Sequence, residues 1–125
     1  MRAADLLAKA LQAAESAKLL LDAGDADGAC NRAYYAMFDA ARAALLAIGH
    51  DPGKTHRGVL GAFSERLVKE GAVAKEMGRL LKEAETIRYV ADYDGASVEF
   101  DDAREIVEQA QTFIAAVRTA LTPKD

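Results

Sequence analysis

The sequence predicts an all-α protein, an up-and-down bundle of four to five helices, with residues 1–125 forming a single domain. Three observations carry that expectation. Only two prolines interrupt the chain. Apolar residues recur at three- and four-residue spacing with few β-branched runs. Ala, Leu, Glu, Lys and Arg, which are good helix formers, are abundant throughout. At 51% hydrophobic and 29% charged residues, the composition is that of a folded chain, not a disordered one.

The first helix is expected from Arg2 to Ala23, with Leu7, Leu11, Ala14 and Leu21 on its buried stripe and Gly24 as its stop. Asp25 then caps a second helix reaching Ile48, whose stripe is Cys30, Ala33, Tyr34, Met37, Ala41, Leu45 and Ile48, and Gly49 ends it. The segment "GHDPGKT" reads as a loop that closes on Thr55, a suitable cap for a third helix over His56–Lys69. Val59, Leu60, Phe63 and Leu67 put His56 in line with that helix's apolar stripe. A fourth helix follows "EGAV", with Met77, Leu80, Leu81, Ala84, Ile87 and Ala91 inward and a stop at Gly95. Asp101 caps a fifth, striped by Ala103, Ile106, Val107, Ala110, Phe113, Ile114, Val117 and Leu121. Short links favour antiparallel neighbours.

The single cysteine, Cys30, excludes an internal disulfide and reads as a buried thiol in a reducing compartment. The start "MRAADLLAKAL" carries Asp5 and Lys9 within its apolar pattern, so neither a signal peptide nor a membrane span is expected, and the location is expected to be cytoplasmic. A net charge of −4 argues against broad, charge-driven nucleic-acid binding. Between Pro52 and Val90, however, eight Lys or Arg face five Glu, which leaves room for a local basic surface. The sequence contains no phosphate-binding glycine loop and no metal-ligand spacing, and no thiol or hydroxyl nucleophile stands beside a base. No metal and no cofactor are expected.

Several polar residues exceed what a bundle requires. Asn31, Tyr35 and Arg42 share a face of helix two, where Arg32, Tyr34 and Tyr35 crowd together. Helix three begins "KTHRG", and helix four ends "IRYVADYD". Arg88 and Asp92 stand one helical turn apart and form either an internal polar latch or the remnant of a catalytic motif. His56, at a helix start, is either packed at the bundle edge or kept neutral there to serve as a general base.

With "NRAYYAMFDAARAALLAIG", "KTHRGVLGAF" and "IRYVADYD" in this order and spacing, the chain resembles the prokaryotic stand-alone branch of the HEPN family, the higher eukaryotes and prokaryotes nucleotide-binding domains. The resemblance covers almost the whole chain. It implies a helical bundle, commonly dimeric. It also implies either a metal-independent ribonuclease or a toxin neutralised by a minimal nucleotidyltransferase encoded next door. Ribonuclease relatives pair an arginine with a histidine four to six residues later, the histidine acting on the ribose 2′-hydroxyl and the arginine on the phosphate. Arg88 matches that arginine, but Asp92, Tyr93 and Asp94 occupy the positions beyond it, and a carboxylate titrating near ~4 is a weak base that repels phosphate.

The expected function is therefore a nucleotide- or partner-binding component of a toxin–antitoxin-like pair with a minimal nucleotidyltransferase. The alternative is a metal-independent RNA endonuclease using Arg88 with His56 or Asp92. The residues expected to meet a ligand, RNA or partner are Asn31, Arg32, Tyr35, Lys54 and Tyr93, and a homodimer is expected.

Overall fold

The computed structural model of the chain describes residues 2–93 and 97–121, Tyr93 by its backbone alone. The expected stop at Gly95 lies outside these residues. The elements are α1 (Ala3–Asp22), α2 (Ala26–Ala47), α3 (His56–Phe63), a π-helical turn (Ser64–Val68), α4 (Lys75–Tyr93) and α5 (Phe100–Leu121). The described residues contain no strand, and none of their helices is long and apolar enough to cross a membrane.

The helix stops expected at Gly24 and Gly49 both form. Asp25 N–H donates to Leu20 O at 2.9 Å and Gly24 N–H to Leu21 O at 3.0 Å, with Gly24 at φ +86°. The end of α2 repeats the pattern: His50 N–H reaches Leu45 O, Gly49 N–H reaches Leu46 O, and Gly49 has φ +81°. Two crossed bonds closing on a left-handed residue satisfy the last carbonyls of a helix and reverse the chain. Asp25 caps α2 as expected, its carboxylate accepting from Gly28 N–H at 2.8 Å.

α2 is the hub, packing against α1 most extensively and also against α5, α4, α3 and the π turn. Its expected stripe from Cys30 to Leu45 is fully buried, while Ile48, at the C-cap, is half exposed. Phe38 and the alanines at 29, 36, 40, 43 and 44 are buried as well. A helix that is apolar on most of its circumference belongs in the centre of a bundle. Small side chains also let neighbouring backbones approach closely, and this corrects the expected stripe of α1. Leu6, Ala10, Ala13, Ala14 and Ala17 are buried there, while Leu11 is exposed and Leu7 and Leu21 lie at the margin. The alanine face, not the leucine face, seats on α2.

Two other expectations change. The third helix is not α-helical to Lys69: after Phe63 it widens into a π turn, in which Lys69 N–H donates to Ser64 O at 2.9 Å. The wider turn keeps Phe63 and Leu67 both buried and brings Val68 against α4 at Gly78, where a Cβ would sit 3.2 Å from Val68 Cγ2. Asp101 does not cap α5. The helix begins one residue earlier, and Asp101 lies in its first turn, paired with Arg104 at 3.2 Å. The link before α5 is tied down by Val98 N–H, which donates to Asp27 on α2 at 2.7 Å.

The alanine seam yields a stability prediction. Ala17→Leu, at a fully buried position, should lower the unfolding free energy by about 1–3 kcal/mol through overpacking. Ala8→Leu, on the exposed face of the same helix, should change it by less than about 0.5 kcal/mol. Urea titrations of both variants check this.

Candidate functional site

Three helices bring aromatic and charged groups to one place. α2 supplies Tyr34, Tyr35 and Phe38 on adjacent turns. α3 supplies His56 as its first residue, set there by Thr55, whose hydroxyl accepts from Gly58 N–H at 3.1 Å. The last turns of α4 supply Arg88 and Asp92. The His56 ring lies nearly parallel to Tyr34, with centroids 5.5 Å apart and an interplanar angle of 27°, and 5.0 Å from the Phe38 ring. Tyr35 meets both Tyr34 and His56 edge-on. The Tyr34 hydroxyl and His56 Nδ1 are 2.6 Å apart, a short hydrogen bond between residues 22 apart in sequence.

Arg88 is 7% exposed. Its Nη1 donates to Asp92 Oδ2 at 2.8 Å, and its Cζ lies 5.1 Å from the Tyr34 ring centroid and 5.8 Å from that of Tyr35. That is cation–π range for both rings. Its Nε is buried with no hydrogen-bond partner among the described residues. Of the two readings of "IRYVADYD", the latch is the one the pair geometry displays: the guanidinium is neutralised and stacked inside the fold.

The electrostatics follow from burial and from this one cation. Burial is the main cause that lowers the His56 pKa, the nearby Arg88 charge adds to it, and Glu85 opposes it. The imidazole therefore keeps its neutral form to lower pH than an ordinary histidine does. Burial also pushes the Tyr34 phenol well above its usual range, with Glu85 reinforcing the shift and Arg88 opposing it, so Tyr34 keeps its proton. Cys30 is fully buried, and burial raises its thiol to about 11, with Asp92 and Asp27 contributing. Such a thiol is inert at neutral pH, which fits the structural role its position on α2 suggests. Among the described residues, no three His, Cys, Asp or Glu are grouped as a metal site.

His56 also opens onto a groove of about 1020 Å³ between α3 with its π turn and α4. Arg57, Lys69, Lys75, Arg79 and Lys82 line it, with Glu85 as its one lining acid. Arg79 is bound by Glu76 and Glu83, and Lys69 pairs with Glu65 at 3.8 Å. Arg57, Lys75 and Lys82 remain as cations with no ion pair among the described residues. The local basic surface that the charge count between Pro52 and Val90 left room for falls along this groove, which His56 also lines.

The structure gathers His56, Tyr35, Arg88 and Asp92 into this cluster. It does not gather Arg32, which lines a separate groove between α1 and α2 with Lys9, Ser16 and Asp39. Lys54 is exposed in the loop before α3, and Asn31 is half-buried one turn before Tyr35 with no side-chain hydrogen bond among the described residues. Arg42 lies 3.9 Å from Asp39, away from the cluster. The side chain of Tyr93, like Asp94, lies outside the described residues. Sequence reasoning placed Tyr34 on the core stripe and among the crowded polar residues of α2, but did not pair it with His56. Glu85 was missed as well. Its spacing of three before Arg88 was the available signal.

A family model described as "HEPN domain" matches residues 3–120. A UPF0332 protein of Gloeobacter violaceus is 36% identical over 112 residues, covering 88% of each chain. A UPF0332 protein of Thermotoga maritima is 38% identical over 111 residues, covering 87% of this chain and 83% of its own. A Methanocaldococcus jannaschii protein named "Putative toxin" is 33% identical over 106 residues, covering 85% of this chain and 78% of its own.

The cluster's charges set the outcome of two measurements. Asp92→Ala should destabilise the fold by about 2 kcal/mol, because Arg88 would keep a buried charge without its carboxylate. Glu65→Ala, which breaks an exposed pair, should cost less than about 0.5 kcal/mol. Thermal or urea unfolding checks both. The second measurement concerns pH. Because the folded-state pKa of His56 is depressed, the unfolded chain binds more protons once pH drops to the ordinary histidine value of 6.5. The His56 contribution to stability is then fully present above 6.5 and is lost as pH falls from there toward the lowered folded value. The wild-type stability curve should drop more steeply over that window than that of His56→Gln, and equal slopes would contradict the shift.

Proposed function

Because the chain belongs to the HEPN domain family, we propose that it is the nucleotide- or RNA-binding component of a cytoplasmic toxin–antitoxin-like pair, acting as a homodimer whose counterpart is a minimal nucleotidyltransferase. The toxin names carried by two Methanocaldococcus jannaschii relatives support the first half of this reading. One observation carries the emphasis on binding. The arginine that stands where ribonuclease relatives keep theirs is already neutralised by Asp92 and stacked on Tyr34, while the unpaired cations Arg57, Lys75 and Lys82 belong to the adjoining groove. A guanidinium already paired with a carboxylate of its own helix has little left to offer a transition-state phosphate. Exposed lysines along a groove suit phosphate oxygens without sequence preference.

A second reading, a metal-independent endoribonuclease, draws on a different observation. His56 and Arg88 both contact Tyr34, so a histidine does stand near the family arginine, though it comes from another helix. For that chemistry the Arg88–Asp92 pair must open when RNA arrives.

Anisotropy of a fluorescein-labelled oligouridylate in EDTA separates these readings. Wild-type protein should bind it with an affinity that falls as salt rises. The Lys75→Ala, Lys82→Ala double variant should flatten the logarithmic salt slope by about 1.4, at about 0.7 for each phosphate no longer neutralised. An unchanged slope would overturn the groove's role. Intact oligonucleotide after prolonged incubation supports binding alone, whereas cleavage abolished in both Arg88→Ala and His56→Ala would establish the endonuclease. Co-purification with the product of an adjacent nucleotidyltransferase gene tests the partner.

A further inference from the structure

We infer that Tyr34 is a positioning residue that fixes His56 in the tautomer carrying its proton on Nε2, so that the ring presents a neutral N–H donor, not a base, to the α3/α4 groove. Tyr34 is 0% exposed, and a buried phenol needs an acceptor for its proton. His56 Nδ1, at 2.6 Å, is the one hydrogen-bond partner of that oxygen among the described residues. If Nδ1 carried the proton it would donate to the tyrosine oxygen, and the hydroxyl hydrogen would then be buried with no acceptor. If Tyr34 donates, both ends of the bond are satisfied: Nδ1 accepts through its lone pair, and the ring's single proton resides on Nε2.

The ring has little freedom to escape this arrangement. Tyr34 stacks on it, Phe38 lies 5.0 Å away, and Tyr35 meets it edge-on. The charged and titratable groups facing it are Tyr34 and Tyr35 from α2 and Arg88 and Glu85 from α4. Arg88 opposes a second proton on the ring and Glu85 favours one. Arg57, the next residue of α3, adds a further cation on its own helix. Since His56 lines the groove as well as contacting Tyr34, its second ring nitrogen is the polar atom left to meet a ligand there. A neutral N–H donor matches a phosphate oxygen. It cannot take a proton from a ribose hydroxyl unless the bond to Tyr34 first breaks.

The ligand half of this inference rests on the proposed binding function, and the tautomer half stands without it. Long-range ¹⁵N–¹H correlation spectra of the uniformly labelled protein at pH 7.5 test the tautomer directly, with His50 in the α2–α3 loop as an internal reference. His56 should show an unprotonated Nδ1 and a protonated Nε2, and Tyr34→Phe should move it toward a mixed population. A protonated Nδ1, or averaging of both nitrogens in the wild type, would overturn the lock. Oligouridylate binding then tests the donor. His56→Gln, whose amide offers an N–H but no base, should bind within about twofold of wild type, while His56→Ala should lose about tenfold, or 1.4 kcal/mol. Equal losses in the two variants would overturn the donor role. Failure of the wild type to bind the probe would remove the binding function and the donor role with it, leaving the spectra to decide the lock.

Discussion

The hydroxyl of Tyr34 has to find a partner inside an alanine-rich core, and the way it does so organises the functional end of the molecule. Tyr34 lies fully buried on the most buried helix, and among the described residues its hydroxyl has one hydrogen-bond partner, His56. Its acceptor comes from the first residue of α3, whose start the Thr55 cap sets, and the bond fixes how that histidine faces. Arg88 then lies over the same ring, placing the last turns of α4 beside it. One aromatic ring thus joins three helices, and its hydroxyl bond is the step that cannot be omitted without leaving a buried polar group unpaired.

Charge is distributed around this point in a way that separates two kinds of cation. Arg88 is enclosed, paired with Asp92 and held by two aromatic faces, so its charge acts inside the fold, where it adds to the depression of the His56 pKa that burial begins. Lys75, Lys82 and Arg57 of the α3/α4 groove have no ion pair among the described residues and remain available to a polyanion. An acidic chain can therefore carry a basic groove, since net charge and local surface are independent quantities. The π turn contributes by widening the helix where it meets Gly78, so this groove is bounded by an irregular element and not by two regular helices.

Much of the bundle was legible because α2 and α5 repeat their apolar residues at helical spacing and because Gly24, Asp25, Gly49 and Thr55 have conformational roles that sequence displays. The misread parts share a physical cause. On α1 the leucines drew attention, yet tight packing against an alanine-rich partner selects Ala10, Ala13 and Ala17, and composition alone does not weigh closeness of approach. The π turn over Ser64–Val68 was not read, because Val59, Leu60, Phe63 and Leu67 keep α-helical spacing straight into it. At the site, Arg88 and Asp92 were visible as a pair because they are four apart on one helix. The meeting of His56 with Tyr34 was not, because it spans 22 residues and depends on how two helices cross. Tyr34 hid in plain view: a core position and a polar partner are both true of it.

The central claim is that the Tyr34–His56 bond is a single coupled unit on which the site is built. A double-mutant cycle of unfolding free energies over Tyr34→Phe and His56→Leu measures it. Each single change strands a buried polar atom, whereas the double change removes both, so the account predicts a coupling of about 1–2 kcal/mol, with the double variant markedly more stable than the sum of single losses implies. Losses that add to within about 0.3 kcal/mol would contradict it.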